Sequence, residues 1–144
     1  MEPYSLPIQM RWADMDLNGH LRHSAYLDYG ALLRTRFLTD HDLPTKKLLD
    51  HQIGPIVFRE EVFYKREIRM EDEIIGTQIL TRARSDYSRW SMQHELIKAD
   101  GTIAAVINLD GAWLDLSKRK LTKPPSFVQE AFNLMPRSSD FVFE

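Results

Sequence analysis

The chain contains no cysteine, and this absence excludes several kinds of site. Without cysteine there is no disulfide framework, no thiolate nucleophile and no cysteine-ligated metal. Long apolar runs are also missing, because no stretch approaches the roughly 20 apolar residues that span a bilayer. Residues 1–5 are acidic where a secretory signal is basic. We therefore expect a soluble, cytoplasmic protein that has no membrane partner.

A large excess of charge of one sign is missing as well. The chain has 19 Lys and Arg against 21 Asp and Glu, which gives a net charge of −2. No global positive field attracts nucleic acid, so we expect no nucleic-acid partner. With 43% hydrophobic and 28% charged residues, the composition is typical of a folded globular protein. A length of 144 residues predicts a single domain over residues 1–144.

The first half of the chain predicts one strand and one long helix. Residues 5–11 alternate between apolar and polar side chains, which is typical of a strand. Apolar residues then recur at spacings of three and four, which predicts a largely buried helix: Tyr26, Tyr29, Leu33 and Phe37. Ser24 stands where the N-cap of this helix is expected.

The second half predicts a meander of strands. A short helical segment at residues 45–49 precedes four segments of two-residue alternation. In the first of these, one face is predicted to carry Ile56, Phe58, Val62 and Tyr64. Residues 99–102 are typical of a hairpin turn, and residues 127–135 of a small closing helix. We therefore expect an α+β fold, in which an antiparallel sheet of about five strands wraps around the long helix.

The densest cluster of functional side chains is residues 11–23, RWADMDLNGHLRH, between the first strand and the helix. Asp14, Asp16 and Asn18 fit the first half of a calcium-binding EF-hand loop. The twelfth loop position, however, holds Ala25 in place of a bidentate Glu. This mismatch excludes an EF-hand site.

Asp16, His20 and His23 contain the ligand types that zinc or iron prefers, but their spacing matches no common metal motif. We therefore expect no metal and no cofactor. A metal-free site is chemically sufficient, because the first turn of a buried helix presents unpaired N–H groups and a positive dipole. These groups can polarise a carbonyl while a neighbouring carboxylate attacks it or activates a water. The segment thus favours ester hydrolysis without Ser or Cys, with Asp14 as a loop organiser.

The same segment resembles the signature of the hotdog-fold thioesterases, especially the 4-hydroxybenzoyl-CoA thioesterase type. That signature is approximately D-x-D-x-x-G, followed by the helix start and a tyrosine. Five residues stand at these positions: Asp14, Asp16, Gly19, His23 and Tyr26. The order of the helix and the four following strands agrees over nearly the whole length.

The resemblance implies a single hotdog domain that hydrolyses acyl-CoA thioesters, with a place in fatty acid metabolism. It implies that Asp16 is the nucleophile or general base, and that backbone N–H groups near His23 polarise the thioester carbonyl. His23 itself would orient the site or bind substrate, together with Gly19 and Tyr26.

A second resemblance connects the segment with acyl-ACP thioesterases. It rests on Arg11, Trp12, Asp14, Asp16, Asn18, His20 and Tyr26. In that group the positions of Asp16, Asn18 and His20 form the catalytic set. Those enzymes carry two tandem hotdog domains, whereas this chain has room for one. An acyl-ACP substrate is therefore an alternative to acyl-CoA.

A CoA ester also needs cations for its phosphates. The strongest candidates are Lys118, Arg119 and Lys120, which resemble the basic strand-end segment of many hotdog thioesterases. Lys65 and Arg66 are weaker candidates, because alternating charges on an exposed strand need no ligand. Single hotdog domains pair their sheets edge to edge, so we expect a homodimer or homotetramer with sites between chains.

Two other functional classes remain open. A hotdog hydratase or dehydratase would need a His and an acidic residue in a different motif context, which we do not find around the long helix. A non-catalytic acyl-thioester binding domain would keep the groove without needing the carboxylate. The presence of Asp16 beside Asn18 and His20 favours the enzyme.

Overall fold

The computed structural model of the protein describes residues 2–144. Strands and helices follow the expected order, with helices α1 (Ala25–Asp40), α2 (Thr45–Asp50) and α3 (Ser126–Asn133). The strands are β1 (Tyr4–Ile8), β2 (Ile53–Tyr64), β3 (Ile74–Ala83), β4 (Arg89–Lys98), β5 (Ile103–Asp115), β6 (Lys120–Leu121) and β7 (Arg137–Phe143). The long helix, the hairpin turn between β4 and β5, and the closing helix are confirmed.

The strands form one curved sheet in the order β1-β3-β4-β5-β2, and these five pair antiparallel. This confirms the predicted α+β architecture. Two additional strands extend it: β6 pairs with β5, and β7 runs parallel to β3 beyond the end of β1. β1 stops at Ile8, earlier than expected, because its ladder to β3 ends at the Ile8–Ile74 pair.

Helix α1 lies against the sheet and divides the core into two clusters. Its second half contributes Phe37 to a cluster with Trp90, Trp113 and Phe132. Its first half contributes residues such as Tyr26 to a cluster near the start of the helix. Burial of the predicted apolar positions explains why the helix forms here. None of the helices described in residues 2–144 is long and apolar enough to cross a membrane.

The prediction that Ile56, Phe58, Val62 and Tyr64 share one face of β2 is wrong. Ile56 pairs with Ala112 and Val62 with Ile107, which are an odd number of residues apart on β5. Cross-strand partners share a face and successive residues alternate, so Ile56 and Val62 point to opposite sides. The cause is a bulge at Phe58, which adds one residue to β2.

Candidate active site

The loop between β1 and α1 is folded around a buried carboxylate. Asp14 ends a short 3-10 turn and is 2% exposed. Its Oδ1 accepts a bond from Arg11 Nη2 at 2.8 Å, and its Oδ2 accepts one from the Tyr29 hydroxyl at 2.8 Å. Arg22 Nη2 lies 3.5 Å from Oδ1. The carboxylate therefore ties both ends of the loop to helix α1, as expected of a loop organiser.

Replacing Asp14 with Asn is expected to lower the free energy of unfolding by about 2 kcal/mol, since an amide nitrogen would face a donor. Arg11 holds the pKa of Asp14 at about 2, below its usual 3.8. A depressed pKa stabilises the fold above pH 3.8, and this contribution is lost as the pH falls towards 2. In urea unfolding, the wild type should therefore be more stable than Asp14→Asn at pH 7, and this difference in the free energy of unfolding should shrink below pH 4. Tyr29→Phe, which removes the hydrogen bond from the Tyr29 hydroxyl to Asp14, should lower the free energy of unfolding by about 1 kcal/mol.

Asp16 sits two residues further on, at the exposed tip of the loop. The backbone N–H groups of Asn18 and His20 donate to Asp16 Oδ1 at 2.8 and 3.1 Å. The bond from His20, followed by that from Asn18, lowers the pKa of Asp16. The carboxylate is therefore held in place and ionised at neutral pH, with Oδ2 outside these two bonds.

The start of α1 differs from the prediction, because Ser24 does not cap the helix with its side chain. Arg22 Nη1 donates to the Ser24 hydroxyl, and Ser24 itself has helical φ and ψ angles. The first turn of α1 therefore has no side-chain cap. Its N–H groups can instead bind an oxyanion or polarise a carbonyl oxygen.

A surface pocket brings several predicted residues together. Asp16, His20, His23 and Tyr26 line it beside Tyr64 from the end of β2. The Tyr26 and Tyr64 rings meet edge to face, with centroids 4.9 Å apart, and the Tyr64 hydroxyl donates to the His23 carbonyl at 3.2 Å. The loop, the helix start and the β2 strand end thus form one wall.

Asn18 and Gly19 lie in the same loop, and both contact Asp16 through their backbone N–H groups. Asn18 contacts Asp16 through its N–H, and its side chain is not among the pocket walls. Gly19 has a φ of +76°, a conformation that favours glycine, and its N–H donates to the Asp16 carbonyl. Both residues shape the turn that presents Asp16.

Five wall residues were not assigned to the site from the sequence: Leu21, Tyr64, Lys65, Arg66 and Glu67. Glu67 Oε2 lies 3.5 Å from His20 Nε2. Lys65 and Arg66, which the sequence predicts only as weaker phosphate-binding candidates, follow β2 directly, and the position of this strand end places them beside Asp16. In the described chain, residues 2–144, no group of three His or carboxylate side chains is arranged to hold a metal ion.

The basic turn formed by Lys118, Arg119 and Lys120 lies outside the Asp16 pocket. Tyr64, beside Asp16, pairs with Ala105 at one end of β5, whereas the basic turn follows the other end. Ten residues at about 3.3 Å each separate these ends, so the turn lies on the order of 30 Å from Asp16 of the same chain. Within one protomer the two sites do not meet.

Comparison with known proteins gives a family and a fold. The model of the thioesterase-like superfamily matches residues 10–132. No protein with a curated description matches the chain in sequence.

Similar solved structures share the hotdog fold. A hypothetical protein from Staphylococcus aureus, solved in complex with CoA, is 18% identical with a TM-score of 0.83, over 96% of this chain and 89% of that one. A 1,4-dihydroxy-2-naphthoyl-CoA thioesterase from Synechocystis is 16% identical with a TM-score of 0.82, and the match covers 92% of this chain and 97% of that one. A DHNA-CoA thioesterase from Staphylococcus aureus is 16% identical with a TM-score of 0.80, and the match covers 90% of this chain and 87% of that one. At these identities the likeness establishes the fold alone.

Proposed function

The chain belongs to the thioesterase-like superfamily, a family of thioester hydrolases, and we propose that it hydrolyses acyl-CoA thioesters to free acid and CoA. One observation carries the proposal: the ionised Asp16 carboxylate and the uncapped first turn of α1 border the same pocket. The CoA held by the Staphylococcus aureus neighbour supports CoA as the carrier.

The chemistry needs two kinds of group, and the pocket supplies both. N–H groups of the first turn of α1 polarise the thioester carbonyl and stabilise the oxyanion that forms on its oxygen. Asp16 either attacks the carbonyl carbon, giving a mixed anhydride that water then hydrolyses, or removes a proton from the attacking water. In both routes the C–S bond breaks and CoA leaves as the thiolate, which takes up a proton. His20 lies in position to move a proton, and His23 and Tyr26 position the substrate.

We propose that two copies form the site, because the outer edge of β2 is unpaired and its side chains suit antiparallel pairing with β2 of a second copy. In residues 2–144 no strand pairs with the outer edge of β2. An antiparallel two-fold axis near Glu60 would place Arg59 beside Glu61 of a second copy, and Val57 beside its Phe63. Phe58 and Phe63 are 50% and 47% exposed in the single chain, which favours such a partner. The protein is therefore a homodimer in this proposal.

The same arrangement gives the basic turn a role. The axis would bring Tyr64 of a second copy to the β2 segment near Ile56, at the end of the sheet that carries Lys118 and Arg119. The basic turn of one copy would then lie close to Asp16 of the other. Each site would draw its carboxylate from one chain and phosphate-binding cations from both, since Lys65 and Arg66 line the Asp16 pocket.

Replacing both Lys118 and Arg119 with Ala should raise KM for acyl-CoA esters about tenfold and change kcat little, since the cations hold a part of the substrate that does not react. An acyl-pantetheine ester, which lacks the nucleotide, should be unaffected. Co-expression with Asp16→Asn chains tests the shared site, because each mixed dimer then contains one intact site. At acyl-CoA concentrations well below KM, activity above the mean of the two parents is expected, and activity equal to that mean would contradict sites formed between chains.

Thiol release from a panel of aryl, short-chain and long-chain acyl-CoA esters tests the proposed activity directly. Because the chain contains no cysteine, a thiol-reactive dye detects only the released CoA. Release that depends on the protein is expected for at least one ester. Binding of acyl-CoA without release would contradict hydrolysis and favour the non-catalytic binding domain, whereas release from acyl-ACP alone would contradict CoA as the carrier.

A further inference from the structure

The middle of helix α1 carries a cation that the proposed chemistry does not use. Arg34 is half-buried, and its Nη1 lies 3.1 Å from Nε2 of His94 on β4. In residues 2–144 no carboxylate lies within 4.0 Å of the Arg34 guanidinium, and its side chain makes no hydrogen bond besides the one to His94. Because a guanidinium has five N–H donors, most of them are without a protein partner.

His94 cannot balance the charge of Arg34. His94 is 0% exposed, and its Nδ1 lies 3.1 Å from the Thr77 carbonyl oxygen. A carbonyl oxygen only accepts and a guanidinium only donates, so Nδ1 carries the proton and Nε2 accepts the bond from Arg34. Both bonds therefore need the neutral ring. Burial, followed by the charge of Arg34, holds the pKa of His94 at about 3, below its usual 6.5.

Helix α1 leaves room for this pair at Gly30. A Cβ at position 30 would lie 3.2 Å from Cδ2 of His94 and 3.3 Å from Nη1 of Arg34. Both distances are shorter than ordinary van der Waals contacts, so a larger residue would push the ring and the guanidinium apart. The close packing of α1 on β4 therefore fixes where the guanidinium lies.

The acid that acts on Arg34 is Glu60, which belongs to the free edge strand β2. Glu60 pairs with the core residue Leu109, so its side chain points to the side of the sheet that α1 covers. Arg34 and Val57 of β2 border the same cavity between α1 and the sheet. Burial lowers the pKa of Arg34, and the negative charge of Glu60 acts in the opposite direction. Glu60 is exposed, and within the described chain, residues 2–144, its carboxylate forms no ion pair.

The proposed dimer gives both unpaired charges a partner. A two-fold axis near Glu60 places the Glu60 side chains of two copies opposite each other on one face of the joined sheet. Two carboxylates in these positions repel each other unless cations lie beside them. Each helix α1 supplies one such cation, Arg34, so the four groups together have no net charge. Covering the β2 edge also removes Arg34 further from water, where an unpaired cation is costly.

We propose that Arg34 and Glu60 of two copies form an ionic cluster on the dimer axis, in which each Arg34 binds Glu60 of the other copy. The cluster selects a second copy of this chain as the partner of β2, because that copy brings both the acid and the cation to the axis. It also selects the register, since an axis one residue further along would place Glu60 opposite Val62 of the other copy. This inference rests on the dimer of the proposed function and is independent of the hydrolysis.

Two variants and their mixture test the cluster. Arg34→Met and Glu60→Gln should each weaken the dimer about 100-fold in sedimentation equilibrium, because each leaves two like charges at the axis. An equimolar mixture contains one Arg34 and one Glu60 per mixed dimer, on different chains. The mixture should therefore dimerise at concentrations at which each variant alone is monomeric. Arg36→Met is the matched control, because Arg36 is an exposed cation of the same helix that lies towards Tyr4 of β1, at the other edge of the sheet. It should keep the wild-type dimer affinity.

Glu60 is exposed in the single chain, so Glu60→Gln should fold even if thermal unfolding shows that Arg34→Met does not. A Glu60→Gln dimer as tight as the wild type would overturn the cluster, as would a mixture that associates no more than its parents. A wild-type chain that stays monomeric would overturn both the cluster and the shared site. Thiol release separates the cluster from the chemistry. A wild-type dimer that weakens in Glu60→Gln but hydrolyses no ester would refute the hydrolysis and leave the cluster standing.

Discussion

Asp16→Asn is expected to lower kcat for acyl-CoA esters by about 1000-fold while leaving the thermal unfolding midpoint unchanged. The asparagine amide can neither attack a carbonyl carbon nor take a proton from water. Its Oδ1 can still accept the two backbone bonds from Asn18 and His20, so the loop keeps its conformation. Thiol release and thermal unfolding of the same preparation measure both quantities.

Asp28→Asn is the matched control, because Asp28 is an exposed carboxylate in the first turn of α1 that is not a wall of the Asp16 pocket. It should retain near wild-type kcat. The pKa of Asp16 lies below 3.8, so protonation of this group should reduce the wild-type rate only below about pH 4. Wild-type turnover by a folded Asp16→Asn protein would refute the catalytic assignment.

Gly111→Ala is expected to reduce the free energy of unfolding by about 3 kcal/mol. A Cβ at position 111 would lie 2.3 Å from Trp90 Cη2 and 2.6 Å from the Ile56 carbonyl oxygen. Trp90 is a large core side chain, and the carbonyl belongs to the β2 backbone beside the bulge, so neither can move away cheaply. For a chain of this length, the loss corresponds to a fall in the unfolding midpoint of about 6 to 12 °C.

Gly54→Ala is the control within the same sheet. A Cβ there would meet Leu116 Cδ2 at 3.4 Å, an ordinary contact with a side chain. Its effect should stay within about 0.5 kcal/mol, because alanine loses less backbone freedom than glycine on folding. Equal stability of the two variants in urea would show that Trp90 does not pack over Gly111 as the structure has it.

The loop chemistry was predictable because its parts are close in sequence. Asp14, Asp16 and Gly19 lie within six residues, and the helix that follows is marked by its own apolar spacing. Hydrogen bonds from the Asn18 and His20 backbone to Asp16 close within four residues. Because these bonds join neighbouring residues, the sequence signature and the local geometry agree.

Features that depend on distant parts of the chain were not predictable in the same way. Ser24 has the residue type of an N-cap, but its hydroxyl is engaged by Arg22, whose guanidinium also faces Asp14. Lys65 and Arg66 enter the site only because β2 ends beside the Asp16 loop. The bulge at Phe58 exchanges the two faces of β2 for all residues that follow it. The alternation of side chains in the sequence does not indicate this extra residue.

The sequence by itself determined the first strand, the long helix, the four-strand meander, the fold class and the Asp16 loop, because hydrophobic periodicity and turn chemistry act over a few neighbouring residues. Only the tertiary structure decided which strand edge stays free and where the basic turn lies relative to Asp16, because both depend on the pairing of strands that are distant in sequence.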